Sequence, residues 1–66
     1  MFASIENVQS LILEQLHENS LSIYEMRQMI YSNFYFECLT IRRLDFILTK
    51  MMFERKIKFT GVYIIA

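Results

Sequence analysis

The sequence predicts an α+β domain that is mostly α, with three helices followed by a C-terminal two-stranded β-hairpin. Three observations carry that reading. Apolar residues recur at spacings of three and four in three separate segments, the mark of a buried helical face. Ser22-Ile23-Tyr24-Glu25 has the form of a helix capping box. After Glu54 the apolar period changes from helical to alternating, and the only glycine, Gly61, falls between two short β-rich runs.

In the first segment Ser4 is placed to cap a helix, with Glu6 in its first turn, where an acid suits the helix dipole. Ile5, Val8, Ile12 and Leu16 form one stripe, widened by Leu11 and Leu13, while Glu14 and Glu18 point away. The pattern stops at His17-Glu18-Asn19, with Asn19 suited to a left-handed stop. His17 is in the last turn, where a cation suits the dipole, and reads as a satisfied or solvated histidine rather than as a catalytic group.

The second helix starts at the capping box. There the Ser22 hydroxyl accepts from the Glu25 amide, and the Glu25 carboxylate accepts from the Ser22 amide. Leu21 and Met26 flank the box as a hydrophobic staple, and Asn19-Ser20-Leu21 suits a short extended run before it. Ile23, Met26, Met29 and Ile30 share a face, and the helix is expected to fade near Ser32-Asn33. Residues 34–39 are too short for a helix of their own. They read as a turn in which Phe34 and Phe36 plug the core and Cys38 is a small buried hydrophobe.

Thr40 is placed to cap the third helix, whose broad apolar face is Ile41, Leu44, Ile47, Leu48, Met51 and Met52. The opposite face carries Arg42, Arg43, Phe46, Thr49, Lys50 and Phe53. Beyond Glu54, a two-residue turn at Thr60-Gly61 would set Phe59 against Val62 and Ile57 against Ile64 on one side of a hairpin. Lys56, Lys58, Tyr63 and Ile65 would then take the other side.

Composition limits what such a chain does. Its 66 residues make a single domain spanning 1–66, a size that is marginally stable alone. Cys38 is the lone cysteine, so no disulfide forms, and Cys38 with His17 falls short of the four ligands of a structural zinc site. Yet 55% of residues are hydrophobic, with six Phe, four Tyr and five Met. A domain this small has difficulty hiding that much apolar surface, which points to a homodimer or a different protein partner. Charges interrupt every apolar run and MFASIENVQ lacks a signal-peptide core, so no membrane association and a cytoplasmic location are expected. No nucleophile–base pair, glycine-rich phosphate loop or working carboxylate pair is visible. An enzyme, a cofactor, a catalytic or bound metal and a small-molecule substrate are therefore not expected.

Net charge is zero but unevenly spread. Residues 1–39 hold one base against five acids, net −4, and residues 40–66 hold six bases against two acids, net +4. This is either a basic face on the last helix and hairpin or an accident of a small chain.

The order of elements resembles a minimal winged helix-turn-helix. LSIYEMRQMI looks like the start of that family's second helix, and LTIRRLDFILTKMMFERKIKF like its third helix and first wing strand. The resemblance implies a small bacterial or phage-type DNA-binding transcriptional regulator. Its third helix would enter the major groove of double-stranded DNA with Arg42, Arg43, Thr49 and Lys50, and Lys56 and Lys58 would lie near phosphates. Two features depart from it. Residues 34–39 make a long connection, and Phe46 and Phe53 stand where a DNA reader carries polar groups. The chain also resembles, more weakly, winged-helix accessory subunits of ABC-three-component defence systems. That implies the alternative function, a protein–protein interaction module with Phe46, Phe53, Tyr63 and Ile65 at the interface. A three-helix bundle with a β tail and a merely solvated basic surface remains a third reading.

Overall fold

The computed structural model describes residues 5–33 and 41–66. The expected caps at Ser4 and Thr40, the turn at 34–39 and the environment of Cys38 lie outside the described residues.

Three helices form where the apolar periodicity places them: α1 (Ile5–Glu18), α2 (Ile23–Asn33) and α3 (Ile41–Phe53). Two strands follow, β1 (Ile57–Phe59) and β2 (Tyr63–Ile65), paired antiparallel. The chain is thus mostly helical, with a winged-helix-like layout of three helices and a C-terminal hairpin.

The capping box at the start of α2 is complete. The Ser22 amide donates to Glu25 Oε1 at 2.9 Å and the Glu25 amide donates to Ser22 Oγ at 3.2 Å. The bond from the Ser22 amide to the ionised carboxylate, and then the Ser22 hydroxyl, hold the Glu25 carboxyl below its ordinary pKa. At the far end Ser32 Oγ and the Asn33 side-chain amide donate to the Gln28 and Met29 carbonyls, at 2.6 and 2.8 Å. Both are side-chain bonds back to the carbonyl four residues earlier in the last turn of α2.

The core is one cluster, built from Val8, Ile12 and Leu16 of α1, Met26 and Ile30 of α2, Leu44, Ile47, Leu48 and Met51 of α3, and Ile57 and Tyr63 of the hairpin. Helix α1 lies at its centre, packed against α2, α3 and β2, while α3 also packs on β1. Leu21 and Met26, the expected staple, both belong to this cluster, Leu21 at its edge. Ile41, expected on the buried face of α3, is 45% exposed. It stands at the rim of the stripe, on the first residue of the helix.

Helix α1 ends without a left-handed residue. The Asn19 amide simply continues the ladder to the Gln15 carbonyl at 3.1 Å, and Arg55 is the only described residue other than glycine with positive φ. Its φ of 63° closes α3. The Arg55 amide donates to the Met52 carbonyl at 3.0 Å, and the Lys56 amide to the Met51 carbonyl at 2.9 Å. That pair of bonds defines a Schellman motif, here with arginine at the position usually held by glycine.

The hairpin register differs from the expected one. Ile57 pairs with Ile65, Lys58 with Ile64 and Phe59 with Tyr63, so the turn spans three residues, 60–62, with Gly61 at φ 90°. A slip of one residue carries every side chain of a strand to its other face. Tyr63 and Ile65 therefore leave the outer side proposed for them and join Ile57 and Phe59 on the inner one. Tyr63 is buried and Ile65 is half-buried against the core. Lys58 and Ile64 take the outer side.

Leu21 makes a further connection. It bridges β2 antiparallel, its amide donating to the Tyr63 carbonyl at 3.1 Å and the Tyr63 amide donating back at 2.7 Å. The short extended run before α2 thus becomes a one-residue third strand. Tyr63 sits between Leu21 on one side and Phe59 on the other, its ring 4.7 Å from that of Phe59.

Candidate functional site

The outer face of α3 follows from helix geometry. With Leu44, Ile47, Leu48 and Met51 buried, a turn of about 100° per residue sets Arg42, Phe46, Thr49 and Phe53 in one row along the opposite ridge. Arg43 and Lys50, seven residues apart, flank that row on one side, and Asp45 flanks it on the other. All seven are exposed. Phe53 is 90% exposed and Phe46 59%, so the structure brings the cations and the aromatic rings expected on this face together on it. At 1.5 Å of rise per residue, the two rings stand about 10.5 Å apart along the helix.

Arg42 and Arg43 occupy the first turn of α3, which carries no acid. The positive end of the helix dipole disfavours cations there by about 0.3–1 kcal/mol each.

On the hairpin, Lys56 and Lys58 are exposed. Lys56 Nζ lies 3.5 Å from Glu54 Oε1, a pair open to solvent on both sides and so worth at most about 1 kcal/mol. A phosphate could displace the carboxylate at little cost. Lys58 projects from the side of β1 opposite the buried Ile57. Arg55, not expected at the site, is exposed too, on the strained residue that turns the chain from α3 into β1.

Of the proposed protein-contact residues, Phe46 and Phe53 are on the surface, whereas Tyr63 and Ile65 belong to the interior. Burial pushes the Tyr63 hydroxyl pKa up, the Asp45 carboxylate pushes it further, and Arg27 opposes both. Two exposed aromatics escaped the sequence reading: Phe59, 48% exposed at the turn end of the hairpin, and Tyr24, 74% exposed on α2. Phe59 lies on the expected side of β1, with Ile57, but stands beyond the edge of the core. Tyr24 lies inside the capping box, off the buried face of α2.

Among the described residues no group of His, Cys, Asp and Glu is arranged to hold a metal ion, and no described helix is long and apolar enough to cross a membrane. No protein-family model matches the chain, and neither a curated protein nor a solved structure matches it.

Proposed function

We propose that this protein binds DNA through the outer face of α3, with the hairpin lying along the sugar–phosphate backbone. The observation that carries the reading is the exposure of Arg42, Arg43, Thr49 and Lys50 on one face of a helix whose other face is core. Arg42 in the first turn of α3 adds to it, because the helix dipole disfavours a cation there and an external anion would favour it. Lys56 and Lys58 supply further positive charge. The role that fits is occupancy of a DNA site by a small transcriptional regulator acting in the cytoplasm.

Each cation that meets a phosphate steepens the salt dependence of binding. If Arg42, Arg43, Lys50, Lys56 and Lys58 all do so on a duplex, log K falls against log salt with a slope of about −4.5. Fluorescence anisotropy across a salt series measures it, and the double replacement of Arg42 and Arg43 by alanine flattens the slope by about 1.8. Failure to bind any DNA at about 50 mM salt, where non-specific contact is already favoured, defeats the proposal.

A second reading has its own observation: the 90% exposure of Phe53 beside Phe46 suits a buried protein contact, with a second copy or another protein. Light scattering separates the two readings in part, since a monodisperse monomer at high concentration removes the homodimer.

A further inference from the structure

We propose that the DNA this face holds is unpaired, with Phe46 and Phe53 stacking on exposed bases while Arg42, Arg43 and Lys50 follow the phosphates. The inference rests on the reading of α3 as a DNA-binding surface and specifies the form of DNA. Phe46 and Phe53 lie on the ridge farthest from the core, so they reach deepest into whatever α3 meets. A duplex offers that ridge only base edges, and a phenyl ring finds little there beyond a thymine methyl. In a single strand every base presents a π-face. Aromatic rings interleaved with cations are the equipment for binding such a strand without reading its sequence. The two rings stand about 10.5 Å apart along the helix, so each can engage a different base.

Charge argues against a second copy as the occupant. An antiparallel pairing of two α3 helices that set Phe46 against Phe53 would bring the two Lys50 ammonium groups together with no acid opposite them. The segment that carries the row is net +4 over residues 40–66, which favours an anionic occupant.

The test compares a fluorescein-labelled oligothymidylate of about 12 nucleotides with a duplex of equal length, by anisotropy at about 50 mM salt. Four variants are used: Phe46→Leu, Phe53→Leu, Phe53→Tyr and the wild type's double substitution Phe46→Leu/Phe53→Leu. Both rings are exposed, so the fold is expected to survive, and circular dichroism verifies that. The single strand should bind more tightly than the duplex. Each leucine variant should lose about five- to a hundredfold in single-strand affinity and little in duplex affinity, while Phe53→Tyr, which keeps a ring, should retain binding.

A duplex bound at least as tightly as the single strand, with leucine variants unchanged, overturns the inference and leaves the DNA-binding proposal standing. Equal losses in the leucine variants on both forms of DNA also overturn it, since stacking on unpaired bases would not then be what the rings do. Binding to neither form overturns both, and the phenylalanine row then belongs to a protein contact.

Discussion

Replacing Arg55 with glycine is expected to stabilise the protein while weakening its hold on DNA. Arg55 sits at φ 63°, where a side chain crowds the following carbonyl at a cost of about 1–2 kcal/mol. The conformation is held because Arg55 and Lys56 donate to the Met52 and Met51 carbonyls, and because the Lys56 carbonyl accepts from the Ala66 amide at 3.2 Å. The end of α3 and the start of the hairpin thus share one strained residue. Glycine relieves the crowding but gives the unfolded chain more freedom, which offsets about 0.4–1 kcal/mol. A net gain of about 0.5–1 kcal/mol remains. In a domain of this size that raises Tm by roughly 2–8 °C. Thermal melting followed by circular dichroism measures it. Arg55→Ala is the control, because it removes the charge and keeps the crowded backbone. A glycine variant no more stable than the alanine variant would refute the assignment of strain to this backbone. If the Arg55 cation also meets a phosphate, both variants bind DNA more weakly, with a salt slope shallower by about 0.9.

Other expectations follow from neighbouring features. Met51→Ala should cost about 2–5 kcal/mol by opening a cavity in the core, whereas Phe53→Ala, two residues on and 90% exposed, should stay within about 0.5 kcal/mol. Urea titration compares them, and equal losses would contradict the assigned faces of α3. The Leu21 and Tyr63 amides should exchange hydrogen with the slow amides of the core, since opening their bridge requires β2 to leave α1. Exchange of Leu21 as fast as that of exposed Ser20 would show that the bridge does not persist. Glu25 has a folded pKa below its ordinary value, so its contribution is present above the unfolded value of about 4.3 and is lost as pH falls through the folded one. Glu25→Ala should therefore lower Tm at neutral pH and converge with the wild type in strong acid. Tyr63 behaves oppositely at alkaline pH. Its folded pKa is raised, so its contribution is complete below the unfolded value of about 10 and is lost as pH rises through the folded one. Asp45→Asn should lower that pKa, as seen by phenolate absorbance.

Much of the candidate site was legible because α3 is amphipathic. Once Leu44, Ile47, Leu48 and Met51 are assigned to the core, Arg42, Phe46, Thr49 and Phe53 have nowhere to go but the opposite ridge. The hairpin portion was not legible to the same degree. Lys58 could be placed outside from the alternation in β1 alone, but Tyr63 and Ile65 could not be placed without knowing the turn. A two-residue and a three-residue turn are both compatible with Thr60-Gly61-Val62, and each leaves an apolar residue on either face of β2.

The amino-acid sequence by itself determined the three helices, the capping box at Ser22 and Glu25, and the outer face of α3. Each depends on bonds or contacts within about four residues, so the local pattern is sufficient. Tertiary structure alone decided the hairpin register, the bridge from Leu21 to Tyr63 and the strained Arg55. The register and the bridge depend on segments far apart in the chain meeting around α1, whereas the bonds that close α3 at Arg55 are local but lack the glycine that usually marks such a stop. Tyr63 is drawn into the core, its backbone pairs with Leu21 some forty residues earlier, and Arg55 takes the conformation that lets β1 reach that position. The local cost of a left-handed arginine is small beside the burial that it permits.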